Sequence, residues 1–336
     1  MGSHLSVVTS VFAALAMAAA PAALAAENCG NLTRINTVEI VNGPNRALVP
    51  VSINGVQKLF LLDTGGDISQ VSRDLVQELK LPVRESRGVK MLDLYGNASR
   101  DQVMIEDFGL GRMKGKDIQM MVEPNPDFAR GTRFSGLLAA DLMGKYDVEL
   151  DFGGNKLNYY SPDHCEGRVV YWQPSVIAVV PITLKYSHLV VPVTLDGHSL
   201  RAEIDTGSSN TNIGAGIAKR VFGLTAESPG AIPLQAAGMP GAFGHIFTGL
   251  AFEGVQVSNP RIAVLPDQFG KNDRDNTYQT GSLIKKVDDN VDPADMLIGM
   301  DVLKNLHIYM AFGERKLYIS GANDTGVAAD LTKAPQ

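Results

Sequence analysis

The chain contains few of the residue types that many enzymes use for chemistry. Its 336 residues include two cysteines, six histidines and one tryptophan. The histidines are scattered and no HExxH motif occurs, which argues against a zinc hydrolase. Neither cysteine has the sequence context of a papain-like nucleophile, and no glycine-rich stretch follows a strand with phosphate-loop spacing. The sequence therefore predicts neither a metal ion nor another cofactor.

Runs of charge of one sign are also absent. The 30 basic and 36 acidic side chains give a net charge of −6 and are interspersed along the chain. This pattern excludes the basic surfaces that bind nucleic acid or anionic membranes. The length allows two domains or one large bilobal unit with a full apolar core.

The N-terminus carries an apolar run over residues 5–20, followed by Pro21 and the small-x-small sequence Ala23-Leu24-Ala25. This order predicts a secretory signal peptide over residues 1–25 and a periplasmic or secreted protein. After cleavage, no stable membrane insertion is expected. No Lys or Arg precedes the apolar run, so an uncleaved anchor stays open as an alternative.

Both cysteines, Cys29 and Cys165, follow the predicted cleavage site. An even count in an exported protein permits one disulfide, here between the mature N-terminus and the middle of the chain. Two unpaired buried thiols are the alternative. His164 precedes Cys165, but no second close pair of ligands accompanies them, so a metal site is not predicted there.

A three-residue motif occurs twice, each time at the end of an apolar stretch. Residues 59–67 read LFLLDTGGD and residues 201–209 read RAEIDTGSS, which places Asp63-Thr64-Gly65 and Asp205-Thr206-Gly207 in the same local setting. Carboxylates are rarely buried unless they have a function. The two copies therefore indicate an internal duplication with one functional carboxylate in each half.

The similarity between the halves extends upstream of the motifs. Pro50 and Pro192 lie thirteen residues before the respective aspartates, and an Asn54-Gly55 or Asp196-Gly197 pair ends eight residues before them. Such dipeptides between alternating apolar residues favour type I′ hairpins. The sequence thus predicts that each half begins with a hairpin whose second strand leads to the aspartate.

Downstream, Gly96 and Gly238 each follow their aspartate by thirty-three residues within turn-rich segments. Both are predicted to lie at hairpin tips. Strands are predicted next, at residues 117–123 and 260–265.

Each half then closes with a similar block, at residues 136–162 and 296–320. Two apolar residues and a small residue precede an aspartate, Asp141 or Asp301, that is predicted to be the N-cap of a short helix. The second half also carries a polar insertion at residues 266–293. It lacks the glycine and terminal glutamate of a calcium loop, so we expect a solvated surface loop near the cleft.

The paired motifs and closing blocks resemble the aspartic peptidases over roughly residues 38–321. Two Asp-Thr-Gly motifs in one chain look like the pepsin-like arrangement, whereas the short halves look more like retropepsin-type lobes fused in tandem, as in bacterial exported members. The resemblance implies a mostly β, bilobal acid-protease fold with two pseudo-symmetric β-barrel-like lobes and short helices. The predicted boundaries are a signal peptide at 1–25, a first lobe at 38–163, an interlobe linker at 164–178, a second lobe at 179–321 and a flexible tail at 322–336.

The resemblance also implies roles for individual residues. Asp63 and Asp205 would meet across a pseudo-two-fold axis, share one proton and activate a water molecule that hydrolyses a peptide or protein substrate. An inactive binding module of the same fold is the alternative. The other implied site residues are the supporting Thr64, Gly65, Thr206, Gly207, Ser208 and Ser209, the flap residues Tyr95, Gly96 and Gly238, and the bracing loops Leu137, Leu138, Ala139 and Leu297, Ile298, Gly299.

Two positions in the first half depart from the family pattern. Gly66 stands where Ala, Ser or Thr usually follows the motif, and Ala139 stands where the bracing loop usually has glycine. Looser packing is therefore expected around Asp63. With both lobes in one chain, dimerisation is not required and a monomer is expected.

Overall fold

Residues 29–92, 98–185, 187–234, 239–267 and 294–324 are described in this computed structural model of the protein. The predicted signal peptide, most of the 266–293 insertion and most of the predicted tail lie outside these residues. In the part of the chain that is described, no helix is long and apolar enough to cross a membrane.

The first half consists of thirteen strands and two short helical segments. The strands are β1 (Arg34–Glu39), β2 (Val41–Gly43), β3 (Arg46–Ile53), β4 (Val56–Leu62), β5 (Gln70–Val71), β6 (Val83–Glu85), β7 (Met91–Leu92), β8 (Ala98–Ser99), β9 (Asp101–Leu110), β10 (Met113–Val122), β11 (Gly136–Leu138), β12 (Asp147–Asp151) and β13 (Lys156–Tyr160); the helical segments are α1 (Arg73–Glu78) and a 3₁₀ turn (Ala140–Leu142).

The second half has a corresponding series of elements. Its strands are β14 (Ala178–Pro181), β15 (Thr183–Lys185), β16 (His188–Leu195), β17 (His198–Ile204), β18 (Asn212–Gly214), β19 (Ile232–Pro233), β20 (Phe243–Ile246), β21 (Gly249–Phe252), β22 (Val255–Ser258), β23 (Arg261–Leu265), β24 (Met296–Ile298), β25 (Leu306–Ala311) and β26 (Lys316–Gly321); its helices are α2 (Ala215–Phe222) and α3 (Met300–Leu303).

The predicted opening hairpins are β3–β4 and β16–β17. Their turns place two consecutive residues at positive φ, 49° and 84° at Asn54 and Gly55, and 45° and 80° at Asp196 and Gly197. Two left-handed residues in succession define the type I′ turn, whose twist matches that of the flanking strands. The predicted turn type is therefore confirmed in both halves.

The same strand order surrounds each aspartate. In the first half β4 runs parallel to β11, β11 pairs with β5 and β5 with β10, while a β3–β9 pairing closes six strands into a barrel. In the second half β17 runs parallel to β24, which pairs with β18, which pairs with β23. The predicted mostly β, bilobal fold with a few short helices is confirmed.

A shared six-stranded sheet joins the lobes. Its order is β1-β13-β12-β25-β26-β14, so each half contributes three strands and the halves meet where β12 pairs with β25. Strand β1 begins at Arg34, N-terminal to residue 38, where the sequence pattern places the start of the first lobe. The lobes are thus connected by main-chain hydrogen bonds as well as by the chain itself.

One face of this interlobe sheet packs on the main core, and the other carries polar side chains that are covered by residues 164–178. The carboxylate of Glu149 is fully buried there and accepts hydrogen bonds from Tyr160 and Tyr171 at 3.1 and 2.8 Å. His307 contacts the same carboxylate at 2.8 Å, and the Trp172 ring stacks on His307 with 4.1 Å between centroids. The predicted linker segment therefore covers a buried polar layer.

The two cysteines form a disulfide. Cys29 and Cys165 have Cα atoms 4.9 Å apart and are separated by 136 positions in the sequence. The bond joins the described N-terminus to the covering segment, beside the buried pair of His164 and Asp147, whose Nε2 and Oδ2 atoms are 2.6 Å apart.

Because the disulfide closes a loop of this length, replacing both cysteines by serine should lower the free energy of unfolding by about 2–5 kcal/mol. Urea unfolding of the Cys29→Ser/Cys165→Ser variant and the wild type measures the difference. Dithiothreitol should destabilise the wild type and leave the double variant unchanged. Equal stability of the two proteins without reductant would contradict a stabilising role.

Candidate active site

Each motif aspartate sits where a buried strand meets a bracing loop. Strand β4 is buried at its end and leads to Asp63, whose main-chain N–H donates to the carbonyl of Leu138 at 2.9 Å. In the second lobe, Asp205 follows β17 and donates to the carbonyl of Ile298 at 3.0 Å. The predicted bracing residues of β11 and β24 therefore lie directly against the two aspartate loops.

The two threonines bind the loops to each other. The Thr64 hydroxyl donates to the carbonyl of Ile204 at 2.7 Å, and the Thr206 hydroxyl donates to the carbonyl of Leu62 at 2.8 Å. Each hydroxyl also accepts the main-chain N–H of the other threonine, at 3.1 Å in both directions. Both threonines are buried, so these four bonds are shielded from water and hold the loops in one relative position.

The aspartate side chains face each other across this junction. A hydrogen bond joins the Asp63 and Asp205 carboxyls. Each packs against the glycine of the opposite loop: a Cβ atom on Gly65 would lie 2.6 Å from Cγ of Asp205, and one on Gly207 would lie 2.5 Å from Oδ1 of Asp63. Any side chain at either glycine would displace the facing carboxyl.

Main-chain N–H groups orient both carboxyls. Gly65 donates to Oδ1 of Asp63 at 3.1 Å, and Gly207 donates to Oδ1 of Asp205 at 2.7 Å. These glycines also contact the opposite aspartate. Each loop therefore orients its own carboxyl and limits the space available to the carboxyl of the other loop.

The surroundings favour retention of a proton. Burial raises the pKa of Asp63 above its ordinary value. The pKa of Asp205 lies well above its ordinary value because of burial and the nearby negative charges of Asp63 and Glu203. Two adjacent carboxyls joined by a hydrogen bond hold one proton between them, so one can act as an acid while the other acts as a base.

Asp141 supports the first loop in a way that the sequence did not predict. Ser69 donates to its Oδ1 atom through both the main-chain N–H, at 3.0 Å, and the hydroxyl, at 2.6 Å. The same hydroxyl accepts the N–H of Ala139 at 2.9 Å. The prediction of Asp141 as an N-cap is wrong, because Ala139 occupies the N-cap position of the 3₁₀ turn.

The second lobe repeats this arrangement. Thr211 donates to Oδ1 of Asp301 at 2.8 and 2.7 Å, and its hydroxyl accepts the N–H of Gly299 at 3.1 Å. Gly299, not Asp301, is the N-cap of α3, so this N-cap prediction is also wrong. A hydroxyl residue six positions after each motif aspartate was the sequence signal for these supporting residues.

The two departures of the first lobe lie side by side. A Cβ atom on Gly66 would lie 2.8 Å from Oδ2 of Asp63 and 3.2 Å from Cβ of Ala139. In the second lobe the pattern is reversed, since Ser208 has a Cβ atom and Gly299 has none. The methyl group of Ala139 thus occupies part of the space that a side chain at residue 66 would need, and the Asp63 carboxyl lies nearer still.

The remaining predicted site residues are placed as follows. The Ser208 hydroxyl donates to the carbonyl of Asn210 at 2.9 Å rather than orienting a carboxylate, and Ser209 is partly buried in the same loop. The flap residues Tyr95, Gly96 and Gly238 lie outside the described residues. The strands before and after them in the sequence pair antiparallel, β7 with β8 and β19 with β20. Within the described ranges, no group of three or more His, Cys, Asp or Glu residues is placed to hold a metal ion.

Substituting Gly66 by serine should lower the free energy of unfolding by about 1–3 kcal/mol, because the added side chain meets Asp63 and Ala139. Adding Ala139→Gly to this variant should recover part of the loss, because the contact with Asp63 remains. Urea unfolding of the wild type, both single variants and the double variant forms a complete mutant cycle. Strictly additive effects would contradict this partial recovery.

The pair of Asp63 and Asp205, called the dyad below, should make the protein less stable as the pH rises. Since the folded state holds a proton that the unfolded aspartates release near their ordinary pKa of 3.8, the unfolded state binds fewer protons above that pH. The free energy of unfolding should therefore fall from about pH 4 upward, and Asp205→Asn should flatten this decline. Urea unfolding at a series of pH values measures it, with Asp74→Asn on the exposed side of α1 as the control. An unchanged slope in Asp205→Asn would contradict the shared proton.

Similar proteins were found among solved structures at low sequence identity. The aspartic proteinase from Irpex lacteus has 11% identity and a TM-score of 0.48, with 88% of this chain and 99% of that chain covered. The Basic 7S globulin from soybean has 10% identity and a TM-score of 0.47, with 91% and 100% covered. The retropepsin-like aspartic protease from Rickettsia conorii has 16% identity and a TM-score of 0.30, with 39% and 92% covered.

A comparison with curated protein sequences found no match. A sequence profile of the aspartyl protease family, in contrast, matches residues 49–142 and 191–302. These segments make up more than half of the chain, and each contains one Asp-Thr-Gly loop together with its bracing loop. The chain therefore belongs to the aspartyl protease family.

Proposed function

We propose that the protein is an exported aspartic endopeptidase that hydrolyses peptide bonds in extended polypeptides. The observation that carries the proposal is the hydrogen-bonded pair of Asp63 and Asp205 at the junction of the two lobes. The carboxyls are enclosed by the catalytic loops yet retain some contact with solvent, so a water molecule and a substrate carbonyl can reach them.

In the proposed mechanism the ionised carboxylate accepts a proton from water as the water oxygen attacks the carbonyl carbon of the scissile bond. The protonated carboxyl donates its proton to the carbonyl oxygen, which gives a tetrahedral diol. The carboxyl that took a proton from water then donates it to the amide nitrogen, while the other carboxylate accepts a proton from a diol hydroxyl. The C–N bond breaks, the diol carbon becomes a carboxylic acid, and the pair again holds one proton. Neither a covalent intermediate nor a cofactor is needed.

The rigidity of the site supports this mechanism. General acid–base catalysis requires both carboxyls at hydrogen-bonding distance from the reacting atoms in one geometry. Thr64 and Thr206 fix the loops, and the N–H groups of Gly65 and Gly207 fix the carboxyls. Substrate binding therefore does not have to assemble the pair.

We further propose that the strand pairs β7–β8 and β19–β20 contact the substrate together with Tyr95, Gly96 and Gly238, which lie between them in the sequence. An extended peptide can pair its main chain with such strands, and their closure over it would exclude water. Substrate choice would then depend on the residues on either side of the cleft, with a polypeptide rather than a folded domain as the substrate.

Export and action as a monomer are part of the same proposal. The Cys29–Cys165 disulfide supports an oxidising compartment, and the apolar N-terminal sequence supports a signal peptide that leads to the periplasm or outside the cell. Since one chain supplies both aspartates, no second copy is needed to complete the site.

Asp63→Asn and Asp205→Asn should each abolish cleavage of unfolded casein between about pH 4 and 7, because the two carboxyls act as a unit. Fragment release on gels measures this activity, and Asp74→Asn serves as the matched control that should retain it. Full activity in either dyad variant would refute the proposed mechanism. Casein binding by the wild type without fragments at any pH would instead support a binding module.

A further inference from the structure

A histidine bridges the two lobes beside the aspartate pair. His188, at the start of β16 in the second lobe, places Nδ1 2.6 Å from Oε1 of Glu203 and Nε2 3.5 Å from Oδ1 of Asp67. Glu203 lies on β17 two residues before Asp205, and Asp67 follows Asp63 by four residues. The imidazole thus lies between carboxylates that belong to the two catalytic loops or lead directly into them.

Both ring nitrogens face a carboxylate, so the arrangement favours the doubly protonated, positively charged imidazole. Its hydrogen bonds to Asp67 and Glu203 raise the pKa of His188 to about 10. Burial alone would raise the pKa of Asp67, but the contact with His188 holds it below its ordinary value. His188 therefore stays charged across neutral pH, unlike a free histidine.

Glu203 connects this cluster to the dyad. Arg201 and Glu203 alternate along β17 and so project from the same face of the strand, and Asp205 follows its last residue. The negative charge of Glu203 acts to raise the pKa of both Asp63 and Asp205. A positive charge 2.6 Å from Glu203 offsets that influence, so loss of the histidine would expose the dyad to the full charge of Glu203.

Other charged and polar residues lie around the cluster. Arg201 lies near Asp295, with Nε and Oδ2 3.6 Å apart. Lys185 pairs with His188 through the main chain of β15. Ser187 also donates hydrogen bonds to Asp67, which places the first catalytic loop against the beginning of β16.

We propose that His188 is a positioning residue of the aspartate dyad, which ties Asp67 to Glu203 across the lobes and sets the pH range in which the dyad holds its single proton. The inference rests on the proposed peptidase function. It assigns a role to His188, Asp67 and Glu203, none of which belongs to the Asp-Thr-Gly motifs or to the bracing strands.

The direction in which a substitution shifts the pH profile of activity distinguishes this role from a purely structural one. An aspartate dyad is active while it holds one proton, so the alkaline limb of the pH profile marks loss of that proton. Removing the cation with His188→Gln leaves the charge of Glu203 uncompensated, which should move the limb to higher pH. Removing the anion with Glu203→Gln should move it to lower pH, and the double variant should lie between the two.

The test measures kcat/KM for fluorescently labelled casein as a function of pH in the wild type and these three variants. At one pH on the alkaline limb, kcat/KM is expressed as a fraction of the maximum of the same protein. This fraction should be about threefold higher in His188→Gln than in the wild type and about threefold lower in Glu203→Gln. His188→Lys keeps a positive charge and should restore the limb close to the wild-type position. The inference would be overturned if the alkaline limb moved in the same direction in both single variants. It would also be overturned if both variants lost rate equally at every pH and the limb did not move.

Carboxyl ¹³C resonances of Asp63 and Asp205 provide a readout without turnover. They are assigned with Asp63→Asn and Asp205→Asn and titrated in the wild type, His188→Gln and His188→Lys. The dyad should release its proton at higher pH in His188→Gln and near the wild-type pH in His188→Lys. If wild-type protein cleaves no casein, the proposed function fails, while this titration still decides the role of His188.

Discussion

The reciprocal hydrogen bonds between Thr64 and Thr206 are the constraint on which the site depends. Each hydroxyl donates to the carbonyl that precedes the opposite aspartate and accepts the N–H of the opposite threonine. Neither loop can therefore satisfy its buried polar groups without the other, and leaving such groups unpaired is unfavourable. The aspartate pair therefore forms only when the two lobes associate, and neither lobe can hold its own loop in place alone.

Two further connections hold the two lobes in the same relative position. The β12–β25 pairing continues one sheet through both lobes, and residues 164–178 cover its polar face. On the other side of the loops, His188 joins Asp67 to Glu203. A network of hydrogen bonds and charges thus surrounds the threonine contact and helps to hold the two loops in one relative position.

The sequence predicted the parts of this protein that depend on local chemistry repeated at matched spacing. Asn54-Gly55 and Asp196-Gly197 specify their turns because few residues adopt positive φ easily. The roles of Ser69 and Asp141 were not predictable in the same way, since their bond joins residues that are distant in sequence and the same aspartate also suits a helix N-cap. The closeness of Gly66 to Asp63 and Ala139, and the position of His188 between two carboxylates, are likewise visible only in the packed tertiary structure.

The disulfide gives the chain an unequal covalent topology. Its ring runs from Cys29 to Cys165, so it contains the whole first barrel and Asp63, while Asp205 lies on the open part of the chain. A single break in the main chain inside the ring leaves both fragments covalently attached, whereas a break beyond Cys165 separates a piece of the second lobe. In surroundings rich in peptidases, the lobe with the unusual Gly66 and Ala139 is therefore the one protected against loss by a single cut.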